Sequence, residues 1–84
     1  MKKIVDFEKN INERFYRWAG RFIVSTAGKV LSEYPVEHVL CKLVTSGIFT
    51  LEEIREKLNS EKIPLHQIYF DKAAWLIENI GKGN

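Results

Sequence analysis

The residues that most often carry chemistry are few and scattered in this chain. There is one cysteine, Cys41, and there are two histidines, His38 and His66. A single thiol forms neither an internal disulfide nor a metal cluster. Cys41 stands one turn from Glu37 and four residues before Thr45, with no base placed in sequence to activate it. It reads as a small core residue on or beside an apolar stripe. Neither histidine sits in a metal-ligand spacing, so each reads as a satisfied surface residue. The chain has no glycine-rich phosphate loop, serine elbow or paired-carboxylate motif. These residues do not compose an independent active site, and the expected mode of action is through a partner.

Aromatic residues are the next candidates. Trp18 with Phe15 and Phe22, and Trp75 with Tyr69 and Phe70, would serve as stacking platforms for bases. At helical spacing they read better as core or contact anchors, because aromatic side chains dominate both. Phe15, Trp18, Phe22 and Trp75 are therefore the expected partner-binding residues.

Helices must position all of these. Phe7, Ile11, Phe15, Trp18 and Phe22 fall in steps of four, four, three and four, one face of a long first helix. It is expected over residues 4–33, with Gly20 and Gly28 weakening it and a break allowed near Ser25-Thr26. Tyr34-Pro35 marks a boundary, and Pro35 suits the first turn of a second helix over residues 36–46. Its inward stripe is Val36, Val39, Leu40, Leu43 and Val44, and Ser46-Gly47 ends it. Thr50-Leu51-Glu52-Glu53 is a capping box. It starts a third helix over residues 51–59, with Leu51, Ile54 and Leu58 inward. After Pro64 a last helix covers residues 66–80, with Tyr69, Ala73, Leu76, Ile77 and Ile80 on one side, and Gly81 to Asn84 fray. The expected fold is all-α, a single small domain spanning residues 1–84, with three to four helices.

Composition limits the function. Eighty-four residues, 45% of them hydrophobic, give a rich apolar supply to a body that buries only roughly 60% of its unfolded surface. Part of that supply is expected to be covered by another chain, either a different protein or a second copy. The formal charge is +2, from 13 Lys and Arg against 11 Asp and Glu, with the signs interleaved as in Glu53-Ile54-Arg55-Glu56-Lys57. Interleaving reads as solvated helix faces and ranks nucleic acid behind a protein partner. No apolar run approaches the roughly 20 residues of a membrane span. The amino terminus turns polar too soon for a signal peptide, so a cytoplasmic location is expected.

The run Gly47-Ile48-Phe49-Thr50-Leu51-Glu52-Glu53-Ile54-Arg55 is more specific. It resembles a segment of nitrile hydratase β-type subunits that reads glycine, any residue, aromatic, Ser/Thr, apolar, acid, Glu, apolar, Arg. The likeness continues through Pro64-Leu65-His66 and Tyr69-Phe70-Asp71-Lys72, with Glu37-His38 matching upstream, and covers residues 35–80. The family's carboxy-terminal β-barrel is missing, as in the small helical chains that occur as separate subunits or as metal-loading accessory proteins. The resemblance implies that this chain binds no cofactor alone and that cobalt or iron sits in an α-type partner subunit. It also implies supporting roles for two residues. Arg55 would hold the oxygens of oxidised cysteine ligands, and Tyr69 would line the substrate channel. A guanidinium suits that task because its donor fork is fixed and always charged. The plainer role for Arg55 is an exposed helix residue paired with Glu52 or Glu56. Two further readings stand beside this one. The first is a helix-turn-helix DNA-binding or transcription-modulating protein over residues 50–78, against which the long connection from Asn59 to Gln67 counts. The second is a generic adaptor or inhibitor.

Overall fold

The computed structural model describes residues 2–23 and 26–82, with side chains described for 7–23 and 26–80. It is all-helical. Helix α1 runs Lys2–Gly20, α2 Val36–Thr45, α3 Leu51–Ser60 and α4 Gln67–Lys82, with a 3-10 turn at Leu31–Glu33 between α1 and α2. Among the described residues there is no strand, and no helix is long and apolar enough to cross a membrane.

α1 is the longest element, but it stops at Gly20 and does not continue to Glu33 as its periodicity suggests. The amides of Arg21 and Phe22 turn back to the Trp18 and Ala19 carbonyls, a tightening from four-residue to three-residue spacing. Glycine at this point lets the chain fold back closely, since a Cβ on Gly20 would stand 3.1 Å from the Ala27 Cβ. The return delivers Leu31 to the core on the 3-10 turn. A straight helix would have carried Leu31 away from the domain, so burial overrides local periodicity. Ser25, where a break was allowed, and Gly83-Asn84 lie outside the described residues, as do the side chains of residues 2–6 and of Lys82.

α2 is the central element. It packs along α4 and also touches α1 and α3. Val36, Val39, Leu40, Cys41 and Leu43 are buried on it. Pro35 serves as its N-cap, with extended backbone, and does not enter the first turn. Gly47, at φ +76, closes the helix. Its amide bonds the Val44 carbonyl at 2.9 Å and the Ile48 amide bonds the Leu43 carbonyl at 3.2 Å, a Schellman turn.

α3 begins with the expected capping box. The Thr50 hydroxyl accepts the Glu53 amide at 3.2 Å, and the Glu53 carboxylate accepts the Thr50 amide at 3.0 Å. It ends in a second Schellman turn, in which Lys62 and Ile63 donate to the Asn59 and Leu58 carbonyls at 3.1 and 2.8 Å. Here the left-handed residue is Lys62, at φ 59. This turn buries Ile63 and swings Glu61 towards α1.

The core joins Phe15, Trp18 and Ala19 of α1 to Leu40 and Leu43 of α2, Ile54 and Leu58 of α3, and Phe70 and Ala73 of α4. The inward stripe of α4 therefore centres on Phe70 and Ala73. Tyr69, Leu76 and Ile77 flank it half-buried, and Ile80 is exposed, contrary to the expected stripe.

Candidate functional site

Three of the four expected partner anchors belong to the domain's own interior. Phe15 and Trp18 are buried, and Phe22 packs partly buried against the same cluster. Trp18 stacks on Phe15 and Phe49 with ring centroids 6.1 and 5.8 Å away, while Phe22 meets both Trp18 and Phe49 edge-on at 5.1 and 4.9 Å. The first-helix aromatics thus bind α1 to the α2–α3 connection, and the buried rings of Phe15 and Trp18 do not serve as exposed protein-docking anchors. They lie inside because an 84-residue domain needs its largest rings to fill its core.

Trp75 is the anchor that faces out, 61% exposed. Ile68 precedes it by seven residues, two helical turns on the same strip of α4, and is 47% exposed. Beside them Leu76 and Trp75 border a groove completed by Glu37, His38 and Lys72. Tyr69, next to Ile68, forms the far wall of a second groove of about 210 Å³ with Phe7, Ile11, Pro64 and Leu65. Phe7 is 58% exposed there, and Ile80 extends the apolar surface at the other end of α4. α4 therefore carries two apolar stripes, one inward and one outward. The outward one was legible as the Ile68–Trp75 spacing.

The two residues singled out by resemblance do not share a cavity. Arg55 lines a groove with Leu58, Asn59, Gln67 and Phe70, while Tyr69 opens into the groove at Phe7. Arg55 is exposed, and its guanidinium lies 5.1 Å from the Phe70 ring centroid. Among the described residues it pairs with neither Glu52 nor Glu56.

Tyr69 stands near Tyr16, whose hydroxyl donates to the Tyr34 carbonyl at 2.6 Å. Burial pushes the Tyr16 phenol above its ordinary value, and Tyr69 and Glu37 add to the rise. This group ties α1 to the start of α2 and to α4. Tyr16 lies just off the periodic face of α1, so the sequence signals no role for it.

The remaining titratable candidates are unremarkable in geometry. Cys41 is free and buried, and burial raises its thiol. His38 and His66 are exposed, and the His66 Nδ1 accepts the Ile68 amide at 3.3 Å, helping to start α4. Among the described residues no three His, Cys, Asp or Glu side chains gather as a metal site would require.

One polar atom is out of place. The Trp18 indole N–H is buried and has no acceptor among the described residues. Leaving such a donor unmade costs about 1–3 kcal/mol. Trp18 also lines a groove with Arg14, Arg17, Arg21, Glu61 and Ile63.

Comparison with known proteins finds no matching family model, no curated relative and no similar solved structure.

Proposed function

We propose that this chain is a non-catalytic helical domain that binds another protein through the outward apolar stripe of α4, with Trp75 as the central anchor. The observation that carries this reading is a tryptophan 61% exposed on a helix whose inward stripe is already satisfied by the core. Single exposed apolar residues are ordinary, but Ile68 and Trp75 stand two turns apart on one strip of α4, and exposed Phe7 borders the adjacent Tyr69 groove. Large aromatic anchors beside half-buried apolar neighbours are the usual centre of a binding hot spot. No geometry among the described residues supplies a nucleophile with a base.

The partner favoured here is the α-type subunit of a nitrile hydratase-like metalloenzyme, with this chain as its helical subunit or accessory protein. The Gly47-to-Arg55 resemblance supports it, and so does an Arg55 guanidinium free of ion pairs among the described residues and open to oxyanions. Arg55 and Tyr69 line different grooves that share Leu65, so the reading keeps one contact at the metal pocket, through Arg55. A helix-turn-helix reading fits less well. Residues 61–66 separate α3 from α4, and the exposed polar residues of α4, Asp71, Lys72, Glu78 and Asn79, are a poor phosphate-contacting set.

Co-expression with a cobalt-type or iron-type α subunit tests the proposal. Complex formation that Trp75→Ala weakens by tenfold or more is expected, together with lower metal loading in Arg55→Ala. A chain that sediments alone beside the α subunit overturns the partner. Trp75-dependent self-association would instead make a second copy the occupant.

A further inference from the structure

We infer that the arginine row at the end of α1 is a seat for a phosphate group, apart from the α4 docking surface. Arg14 and Arg17 on α1 and Arg21 in the turn just after it follow in steps of three and four, and all three border one groove. At a rise of ~1.5 Å per residue the row spans about 10 Å. The groove it borders has a volume of about 210 Å³, with Trp18 and Ile63 among its lining residues.

Glu61 reaches this groove from the end of α3. Its backbone carbonyl accepts Arg14 Nη2 at 3.1 Å, and its carboxylate meets Arg21 Nη1 at a long 3.5 Å. Arg17 makes no ion pair among the described residues, and neither does Glu13, one turn before it and outside the groove lining. Three guanidinium groups against one carboxylate leave two positive charges on the groove. A phosphate monoester carries about −1.5 to −2 near neutrality and offers three strong acceptor oxygens. Guanidinium forks match those oxygens geometrically.

The Trp18 indole supplies the second, independent observation. It is a donor only, Trp18 is 1% exposed, and among the described residues the indole lacks an acceptor although Trp18 helps to line the groove. A carboxylate is already present as Glu61 and leaves both the charge and the indole unanswered. A tetrahedral oxyanion has oxygens enough for the forks of the row, and Trp18 in the groove lining lies close enough to report its arrival. The phosphate would come from a small molecule or from the diester backbone of a nucleic acid, which would run along the row.

The two indole N–H resonances of the chain provide the test, with Trp75→Phe identifying the signal of Trp18. Inorganic phosphate, pyrophosphate and a single-stranded oligonucleotide are titrated separately. The expected result is a saturable shift of the Trp18 signal. Arg17→Gln with Arg21→Gln should weaken it at least tenfold at unchanged helical circular dichroism, and Glu61→Gln should strengthen it several-fold. Should the double variant not fold, Arg17→Gln alone replaces it. Saturation by the small phosphates alone assigns a small molecule, and much tighter binding of the oligonucleotide assigns a backbone. No saturable shift with any of the three overturns the seat. Affinity untouched by the arginine substitutions, or tighter binding of polyglutamate than of any phosphate, overturns it as well.

Discussion

The two tryptophans mark regions of opposite character. Trp18 is enclosed by Phe15, Phe22 and Phe49, and its ring joins α1 to the α2–α3 connection. Trp75 stands on the outer strip of α4 with most of its ring in solvent. Both fall at helical spacing among other apolar residues, so periodicity treats them alike. What separates them is the number of helices that pass by. The Trp18 side of α1 is covered by the chain on both sides of α3, whereas among the described residues nothing packs over Ile68 and Trp75 on the outer strip of α4. The lesson is that an aromatic residue in a small helical domain becomes core or contact surface according to coverage, and its own type does not decide which.

The largest effect expected from this contrast is on stability. Trp18→Ala should cost about 3–5 kcal/mol in urea unfolding, the range for truncating a buried large aromatic. Trp75→Ala should leave stability within about 0.5 kcal/mol, as surface substitutions do. Equal losses at the two positions would break the contrast outright. In a complex the order should reverse, with Trp75→Ala losing about 2 kcal/mol or more of binding free energy by calorimetry.

Smaller effects sharpen the picture around each region. The turns after α2 and α3 share one hydrogen-bond pattern, but the left-handed position is Gly47 in the first and Lys62 in the second. Lys62→Gly should therefore raise stability by about 1 kcal/mol in thermal unfolding, by relieving a Cβ held in the left-handed region. Thr50→Ala should lower it by about 1 kcal/mol, because both bonds of the capping box depend on that residue.

The smallest effect is on pH dependence. Burial raises the Cys41 thiol in the folded chain, so the folded state holds its proton to higher pH than the unfolded state does. The stability linked to that proton is complete below the ordinary thiol value. It is lost as pH rises through the folded value. Tyr16 acts in the same direction at higher pH. Urea midpoints should fall on the alkaline side, and Cys41→Ala should flatten the first part of that decline. A thiol that reacts with a disulfide reagent as fast in the folded chain as in urea would contradict the burial.

Much of the fold was legible locally. The capping box at Thr50, the stop at Ser46-Gly47 and the boundary at Pro35 are written in short-range chemistry that holds whatever surrounds them. The limits of α2, α3 and α4 followed within a residue or two. The end of α1 was not legible, because the choice between continuing past Gly20 and folding back depends on where Leu31 finds its burial. Less of the candidate sites could be read. The three-and-four spacing of Arg14, Arg17 and Arg21 is visible, but Glu61 comes from 40 residues beyond Arg21.

By itself the sequence determined an all-helical chain, the proline boundary and glycine stop of α2, the capping box of α3, and a rich supply of large apolar residues. The tertiary structure alone decided which of those residues are spent inside. It put Phe15 and Trp18 in the core, left Ile68 and Trp75 outside, set Arg55 and Tyr69 in separate grooves, and brought Glu61 to the arginine row. The reason is physical. Helix formation responds to neighbours three and four residues away, whereas burial and charge balance depend on helices that meet only after the chain has turned.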